Sequence, residues 1–269
     1  MRVAAIYDIH GNLPALEAVL DEIRRLEIDQ IVVGGDVLPG PMPRETLACL
    51  LDLDIPIQFI RGNGDRVVLA QMRGRESSEV PQPFREVIRW NARQLAADHE
   101  RHLADWPLTL RIDIQGLGDV LFCHATPRND SDIFTRLTPE AHLLTLFETL
   151  DVPLVVCGHT HMQFDRTIGK TRVLNAGSVG MPFQERGAYW LMLGPEIQLR
   201  RTAYDFEAAA DRIRATTYPQ AEDFAARSIL QPPTEEDTLK AFAHAELKPA
   251  PPAENATAAS AAPSTSSDR

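Results

Sequence analysis

The stretch Val3-Ala-Ala-Ile-Tyr-Asp-Ile-His-Gly-Asn12 decides how the rest of the chain is interpreted. It is a short apolar run that ends at a glycine, which is the pattern of a buried β-strand. Asp8 and His10 lie two positions apart, and residues i and i+2 of a strand face the same side. A carboxylate oxygen and an imidazole nitrogen that converge there suit a transition metal. An Asp-x-His pair is common on its own, so support for a metal site has to come from the rest of the chain.

Length and composition predict a soluble, cytoplasmic chain. The 269 residues are 44% hydrophobic, and no apolar run approaches the roughly 18 residues that span a bilayer. The N-terminus leads straight into a strand pattern without the regions of a secretory signal. The length allows one large domain or two small ones, with a core that needs no disulfides. The irregular spacing of Cys49, Cys123 and Cys157 predicts buried, reduced thiols.

The charge balance argues against a long nucleic acid as the partner. Asp and Glu number 38 against 27 Lys and Arg, giving a net charge of −11. Proteins that bind nucleic acid through its phosphates usually carry a basic surface. A local basic groove remains compatible with this total.

The first third of the chain alternates strands and helices. A helix is predicted at 13–27 with Asn12 as its N-cap, then a strand at 31–33, a helix at 44–53 and a strand at 55–60. This order predicts parallel strands joined by right-handed crossovers, and ligands gather at the carboxyl ends of such strands. Residues that can bind a metal follow each strand: Asp8 and His10, then Asp36, then Asn63.

The remaining elements are predicted from the same signals. Residues 66–106 predict two or three helices that form a cap beside the site. The predicted strands are 108–114, 119–123, 152–157, 163–168, 172–174, 188–193 and 197–199, the last four forming a second sheet. The predicted helices are 139–150, with Thr138 as N-cap, 204–230, with Asp205 as candidate cap, and 234–244. Residues 248–269 are rich in Pro, Ala, Ser and Thr and are predicted to be disordered.

Seven oxygen and nitrogen donors are predicted at one edge of the fold: Asp8, His10, Asp36, Asn63, His124, His159 and His161. Each alone has an ordinary explanation, such as a turn residue or a surface histidine. Together they are too many for a single tetrahedral ion. They suit two ions that share a bridging carboxylate, a site roughly 3.5–4 Å across that can clamp a phosphoryl group.

These residues carry a resemblance to a known family. In order, Asp8-x-His10, Gly35-Asp36, Gly62-Asn63-x-Asp65, His124 and Gly158-His159-x-His161 resemble the motifs of the calcineurin-like metallophosphoesterase superfamily. The early Asp-x-His-Gly-Asn and the helical insert resemble its small bacterial and archaeal phosphodiesterases. The resemblance implies an α/β fold, namely a four-layer αββα sandwich of two mixed sheets flanked by helices. It implies one such domain over residues 1–247, with the insert at about 66–106.

The resemblance also implies the distribution of ligands. Asp8, His10 and His161 would hold one metal, and Asn63, His124 and His159 the other, with Asp36 between them. Two divalent ions are implied, Mn²⁺ first, with Fe, Ni²⁺ or Zn²⁺ as alternatives. We expect in-line attack on phosphorus by a metal-bridging hydroxide, with Asp36, His10 and Asn63 as the catalytic residues among these ligands.

One position departs from the family pattern. Many members of the superfamily carry a histidine after the asparagine of the third motif, as proton donor to the leaving group, and here that position is Gly64. A general acid contributes about 10²–10⁴-fold to rate. We therefore expect leaving groups that need little protonation, such as aryl esters, phosphodiesters of acidic alcohols or phosphoanhydrides.

Three neighbouring residues are candidates for supporting roles. Asp65 is predicted to orient a metal ligand rather than to touch metal, although an ordinary turn carboxylate is an alternative. Arg66 and Arg128 are the candidates for binding the substrate phosphate, because arginine makes bidentate phosphate contacts. A surface salt bridge is the alternative for each of them.

The sequence thus predicts a metallophosphoesterase that hydrolyses phosphodiester bonds of small nucleotide-like or aryl substrates. A phosphomonoesterase or protein phosphatase on the same site is one alternative. A non-catalytic, metal-binding scaffold is a second, and a nuclease is a third that the acidic charge disfavours. A homo-oligomer is compatible with the sequence, and no membrane partner is expected.

Overall fold

Two β-sheets pack face to face at the centre of the fold, and helices cover their outer faces. The computed structural model describes residues 1–247, so the disorder predicted for the tail at 248–269 concerns residues outside this part. In spatial order, the first sheet contains β10 (Gln198–Thr202), β9 (Ala188–Leu193), β1 (Val3–Ile6), β2 (Gln30–Val33) and β3 (Ile57–Phe59). The second contains β4 (Thr109–Ile114), β5 (Gly118–Cys123), β6 (Leu154–Cys157), β8 (Thr171–Asn175) and β7 (Phe164–Ile168).

The helices connect the strands and close the chain. They are α1 (Leu13–Arg25), α2 (Pro43–Leu51), α3 (Asn63–Met72), α4 (Arg85–Gln94), α5 (Ala97–Asp105), α6 (Glu140–Phe147), α7 (Phe206–Arg214), α8 (Ala221–Phe224) and α9 (Glu235–Phe242). A 3₁₀ turn at Gln82–Phe84 precedes α4, and a π-helical turn at Ala225–Leu230 follows α8. Within residues 1–247, none of the helices has the length and apolar character needed to cross a membrane.

Three apolar clusters confirm the four-layer arrangement. The first lies between the first sheet and α1 to α5, the second between the two sheets, and the third between the second sheet and α6. Strand β1 contributes to two of them, because Ala4 and Ile6 face the helices whereas Val3 and Ala5 face the other sheet. A strand buried on both faces reads as a continuous apolar run, which is why β1 is recognisable in the sequence.

The first sheet contains strands from both ends of the domain. Strands β1, β2 and β3 run parallel, as predicted. Strand β9 pairs antiparallel with β1, and β10 pairs with β9. The prediction that residues 188–193 and 197–199 belong to the second sheet is therefore wrong. Alternation and turn residues identify a strand, but its partner is set by packing, here with Trp190 opposite Ile6 and fully buried against the helices.

The helical insert packs on the core rather than standing apart from it. Its first helix, α3, contacts both α4 and α5. Ile88, Leu103 and Trp106 of the insert join the apolar cluster beside α1. Val87, on the same helix as Ile88, instead joins a small cluster with the closing helices α7 and α8. The insert therefore links the first sheet to the end of the domain.

Helix boundaries follow local capping chemistry. Asn12 caps α1 by accepting a hydrogen bond from Ala15 N, and Asp205 caps α7 by accepting one from Ala208 N, as predicted. Thr138 does not cap α6, which begins after Pro139, because its hydroxyl oxygen accepts a bond from Thr135 N. The helix predicted at 204–230 is interrupted after Arg214, and Pro219, which has no N–H to donate, lies in the break.

Candidate metal centre

Seven polar side chains meet at one edge of the sandwich. Asp8 and His10 follow β1, Asp36 follows β2, Asn63 begins α3 after β3, His124 follows β5, and His159 and His161 follow β6. Parallel strands end at the same edge of a sheet, and the two packed sheets present these edges to each other. The structure therefore brings together all seven residues that the sequence predicted as ligands.

The candidate ligand atoms form two adjacent groups. Asp8, His10 and His161 offer atoms that lie within 4.8 Å of one another, and so do Asp36, His124 and His159. Asp36 Oδ2 lies between the groups, 3.5 Å from Nε2 of His124 and 3.7 Å from Nε2 of His10. The two groups could hold two ions with the Asp36 carboxylate between them.

The outer nitrogens of three histidine rings are held by the backbone. Nδ1 of His10 lies 3.2 Å from Pro39 O, Nδ1 of His124 lies 2.9 Å from Gly34 O, and Nδ1 of His161 lies 2.7 Å from Met181 O. A carbonyl oxygen only accepts, so Nδ1 carries the proton in each neutral ring. The Nε2 lone pairs then face the cluster, as in most metal-binding histidines.

Buried acceptors face one another in the cluster, which is the arrangement that a cation would stabilise. Nε2 of His10 and Nε2 of His161 are 3.2 Å apart. Asp8 Oδ1 is buried and has no hydrogen-bond partner among the described residues. The amide oxygen of Asn63 lies 3.2 Å from His124 Nε2 and faces only acceptors. Without a cation the opposite amide orientation would satisfy these groups, so the donor set fits divalent metal.

The backbone of the cluster is left-handed at five candidate ligands. The φ angles are 52° at Asp8, 48° at His10, 51° at Asp36, 66° at His159 and 59° at His161. Asp and His tolerate this region better than most residues, but each instance costs about 1–3 kcal/mol and is typical of functional sites. The expectation that strand alternation aligns Asp8 with His10 is therefore wrong, because β1 ends at Ile6 and a tight left-handed loop aims both side chains.

Similarity to known proteins agrees with this geometry. Residues 1–194 match the family model of the calcineurin-like phosphoesterase superfamily domain. The chain belongs to this superfamily. The chain is also similar to an uncharacterised protein of Methanocaldococcus jannaschii, which is 28% identical over 239 residues, or 81% of this chain and 94% of that protein.

Two solved structures share the calcineurin-like phosphoesterase fold over most of their length. A metallophosphoesterase from Sphaerobacter thermophilus superposes with a TM-score of 0.67 and 26% identity, covering 86% of this chain and 98% of that chain. A hypothetical protein from Pyrococcus horikoshii gives a TM-score of 0.72 with 21% identity, covering 83% and 97% respectively. The second likeness concerns the fold alone.

The carboxylates and imidazoles of this phosphoesterase cluster shift one another's pKa values. Burial disfavours the ionised carboxylate of Asp36, but the His124 and His10 rings outweigh burial and lower its pKa. Burial also disfavours a charged His124, but Asp36 and Asp8 outweigh it and raise the pKa of His124 to about 10. Burial and then the charge of His124 lower the pKa of His159 to about 4. The carboxylates therefore attract positive charge, as a metal site requires.

Asp65 holds the backbone that carries Asp36. Its carboxylate accepts hydrogen bonds from three backbone groups: Asp36 N at 2.8 Å, Gly62 N at 3.0 Å and Leu38 N at 3.0 Å. Burial and the charge of Asp36 raise the pKa of Asp65 to about 8, whereas these N–H donors act in the opposite direction. The geometry agrees with the predicted role of orienting a ligand.

Gly64 occupies a position that leaves no room for a side chain. A Cβ atom there would lie 2.2 Å from Leu38 O and 2.8 Å from Pro39 Cδ. The glycine N–H donates to Asp36 Oδ1 at 2.7 Å. The place of the family's proton donor is thus closed by the loop after β2, and the glycine amide instead supports Asp36.

The two predicted phosphate-binding arginines differ in position. Arg66 lines a cavity of about 780 Å³ that begins at the candidate ligands. Its guanidinium makes a bidentate contact with Asp130, at 2.8 and 3.1 Å, and a single contact with Glu79 at 2.9 Å. Arg128 pairs with Asp132 at 2.8 Å and is not among the residues of 1–247 that line this cavity. The structure therefore brings Arg66 to the site and leaves Arg128 outside it.

Some site residues were not identified from the sequence. Phe183 stacks on His161 with ring centroids 4.5 Å apart, and Ser178 donates to Asp8 O at 2.7 Å. Asp130, which anchors Arg66, is a further example. Ser178 lies in the small-residue stretch Asn175-Ala-Gly-Ser-Val-Gly180, which carries no sequence pattern that would assign the serine to the site.

Proposed function

We propose that this phosphoesterase carries a binuclear metal centre and hydrolyses phosphodiester bonds. The observation that carries the proposal is the position of Asp36, whose Oδ2 lies 3.7 Å from His10 Nε2 in one ligand group and 3.5 Å from His124 Nε2 in the other. A carboxylate shared by two sets of acceptors that face the centre of the cluster is the arrangement that two closely spaced cations require.

The proposed ligand sets follow the two groups. Asp8, His10 and His161 would hold one ion, Asn63, His124 and His159 the other, and Asp36 both. Mixed imidazole and oxygen donors suit Mn²⁺, which we place first, and also Fe, Ni²⁺ and Zn²⁺. When bound, two such ions lower the pKa of a coordinated water and offset the charge that develops on the phosphoryl oxygens.

The chain's own residues hold this arrangement in place. Backbone carbonyls fix the rings of His10, His124 and His161, so their Nε2 atoms need no reorientation when metal ions bind. Asp65 fixes the backbone of Asp36. Such outer contacts typically change metal affinity by about 10–100-fold when they are removed.

The proposed preference for diesters with acidic leaving groups rests on Gly64. No proton donor can occupy that position, because its Cβ would overlap Leu38 O. The departing oxygen must then leave as an anion that is stable without protonation. Rates for a series of diesters with graded leaving-group pKa should fall steeply as that pKa rises. A flat dependence would contradict this assignment.

Metal content and turnover together test the function. Purified protein loaded with Mn²⁺ should bind two ions per chain and hydrolyse bis(4-nitrophenyl) phosphate faster than 4-nitrophenyl phosphate. Asp36→Asn should lose one or both ions and about 10³-fold or more of the activity, whereas Asp113→Asn, on the exposed side of β4, should change neither. Faster monoester turnover would favour a phosphomonoesterase, and two bound ions with no turnover would favour a scaffold.

A further inference from the structure

The cavity beside the ligand cluster has two unlike walls. His10, Asp36, Asn63 and His159 form the wall at the candidate metal centre. The other wall comes from the helical insert and from the segment around α8, and it carries the apolar side chains Val80, Pro81, Phe84, Val87, Tyr218 and Phe224. At about 780 Å³ the cavity can enclose an organic group of the size of a drug molecule. Coordination of a phosphate accounts for the first wall but not for the second.

Aromatic side chains give the apolar wall a defined shape. Phe84 lines the cavity yet is 51% exposed, and it is the only aromatic residue among the exposed large apolar side chains of residues 1–247. Tyr218 is nearly buried, with the Trp90 and Phe224 rings packed edge-on against it at 5.4 and 6.1 Å. Rings prefer such offset or edge-on partners, so a further planar group in this cavity would find a favourable contact with the exposed ring of Phe84.

The charged groups of the cavity favour a substrate with little negative charge. Apart from the candidate ligands, the lining carries the carboxylates of Glu79, Asp130 and Asp223 against the single guanidinium of Arg66. Arg66 is already paired with Asp130 and Glu79, and Asp223 pairs with Arg227 at 2.9 Å. A phosphodiester, with one negative charge, is repelled less by these carboxylates than a monoester dianion or a polyphosphate.

We infer that the apolar wall binds an aromatic organic group of a monoanionic phosphodiester, with Phe84 as the residue that sets this specificity. The inference rests on the proposed function for the position of the phosphate, and it adds the class of alcohol that the ester carries. Phe84 contacts the aromatic ring, and the candidate metal centre contacts the phosphate. The ring can belong to an aryl ester or to a nucleoside, which share a planar, partly apolar surface.

Direct binding to the Mn²⁺-loaded protein tests the inference without relying on turnover. Isothermal titration calorimetry compares diphenyl phosphate with dimethyl phosphate, which has the same charge but no ring, and with a dinucleoside monophosphate. Burial of one phenyl ring predicts at least about tenfold tighter binding of diphenyl phosphate than of dimethyl phosphate. Tighter binding of the dinucleoside monophosphate as well would identify nucleosides as one source of the ring.

Phe84→Ala supplies the residue-level test. The variant should weaken diphenyl phosphate binding by about fivefold or more and leave dimethyl phosphate unchanged. Leu137→Ala is the matched control, because Leu137 is similarly exposed, at 59% against 51% for Phe84, and is not among the described residues that line the cavity. Equal affinities of the wild-type protein for both diesters, or a Phe84→Ala variant with unchanged selectivity, would overturn the inference.

The two proposals fail in different ways. A ring preference that depends on Phe84, in a protein that hydrolyses no ester, would retain the aromatic site and reject the phosphodiesterase. Hydrolysis of diesters without any ring preference would retain the phosphodiesterase and reject the aromatic site.

Discussion

Position 64 shows how a single residue constrains both chemistry and packing. The Gly64 N–H supports Asp36, and its missing side chain lets the Leu38–Pro39 backbone approach. The sequence indicated that a proton donor was missing there. It could not indicate that the position was closed, because the obstructing atoms belong to a loop more than twenty residues away in the chain.

Gly64→Ala should therefore destabilise the protein by about 1–3 kcal/mol, because the added methyl group overlaps backbone atoms that cannot move aside cheaply. Urea unfolding measures the change. Gly194→Ala is the matched control, since the nearest heavy atom to its Cβ is 3.4 Å away. Equal stability of the two variants would show that the loop after β2 yields easily.

The Arg66 guanidinium pairs with one buried carboxylate and with one exposed carboxylate that a substrate could replace. Its bidentate partner Asp130 is only 7% exposed at the side chain, whereas Glu79 is 64% exposed. An exposed ion pair contributes little free energy, so a phosphate can replace Glu79 without freeing the guanidinium from Asp130.

Arg66→Ala should raise KM for a diester by about tenfold, through loss of a charge-assisted hydrogen bond. Arg128→Ala should leave KM nearly unchanged, because Arg128 pairs with Asp132 away from the cavity. Steady-state kinetics on both variants provides the measurement. A comparable rise in KM for Arg128→Ala would return that residue to the substrate site.

Helix α1 illustrates what local sequence signals can and cannot reveal. Its apolar positions and its cap were predictable from spacing, and its observed end at Arg25 differs from the prediction by only two residues. The second role of Asn12 was not predictable. Its Nδ2 donates to Gly180 O at 2.9 Å and so ties the helix to a loop that follows β8 by five residues.

Asn12→Ala removes both contacts and should destabilise the protein by about 2–4 kcal/mol, since it deletes a cap and leaves a buried carbonyl without its donor. Thr234→Ala, which removes the exposed cap of α9, should cost about 1 kcal/mol or less. Denaturant unfolding of both variants compares the two caps. Similar losses would mean that the Gly180 contact adds nothing.

For the molecule as a whole, the motifs were sufficient to predict the fold and the seven residues that converge. Each motif directly follows an apolar strand, so short-range patterns carried the information. The position of β9 beside β1 could not be predicted from the sequence, because nothing local to Ala188–Leu193 indicates which of the two sheets this strand joins. The helix break after Arg214 was visible only as Pro219, and the predicted continuous helix ignored it.

The charges that surround His124 predict how the stability of the metal-free protein, prepared with a chelator, depends on pH. The pKa of His124 is about 10 in the folded chain, against 6.5 for an unperturbed histidine. The folded state therefore binds this proton more tightly. The resulting stability is fully present below about pH 6.5 and is lost as pH rises through about 10. The pKa values of His10 and His159 are lowered in the folded chain, so these two residues reduce its stability only as pH falls below about 6.5.

Between about pH 7 and about pH 8.5, His124 should cost the chelated protein about 1 kcal/mol of unfolding free energy per pH unit. The Mn²⁺-loaded protein should decline less steeply, because a bound ion excludes the proton from His124. Burial raises the pKa of Asp65 to about 8 and also raises the pKa of the Cys123 and Cys157 thiols, so these groups add a decline to both forms, and the difference between the two curves is assigned to the histidine. Parallel curves would contradict the assignment.

The central place of β1 has a consequence during synthesis on the ribosome. This strand is translated long before one of its two neighbours, β9, which begins only at Ala188. A nascent chain that stops earlier exposes an apolar strand edge, which invites pairing with other chains or capture by chaperones. His159 and His161 come after β6, so a filled metal centre would report that β1 to β6 have been translated, with β7 to β10 still to follow.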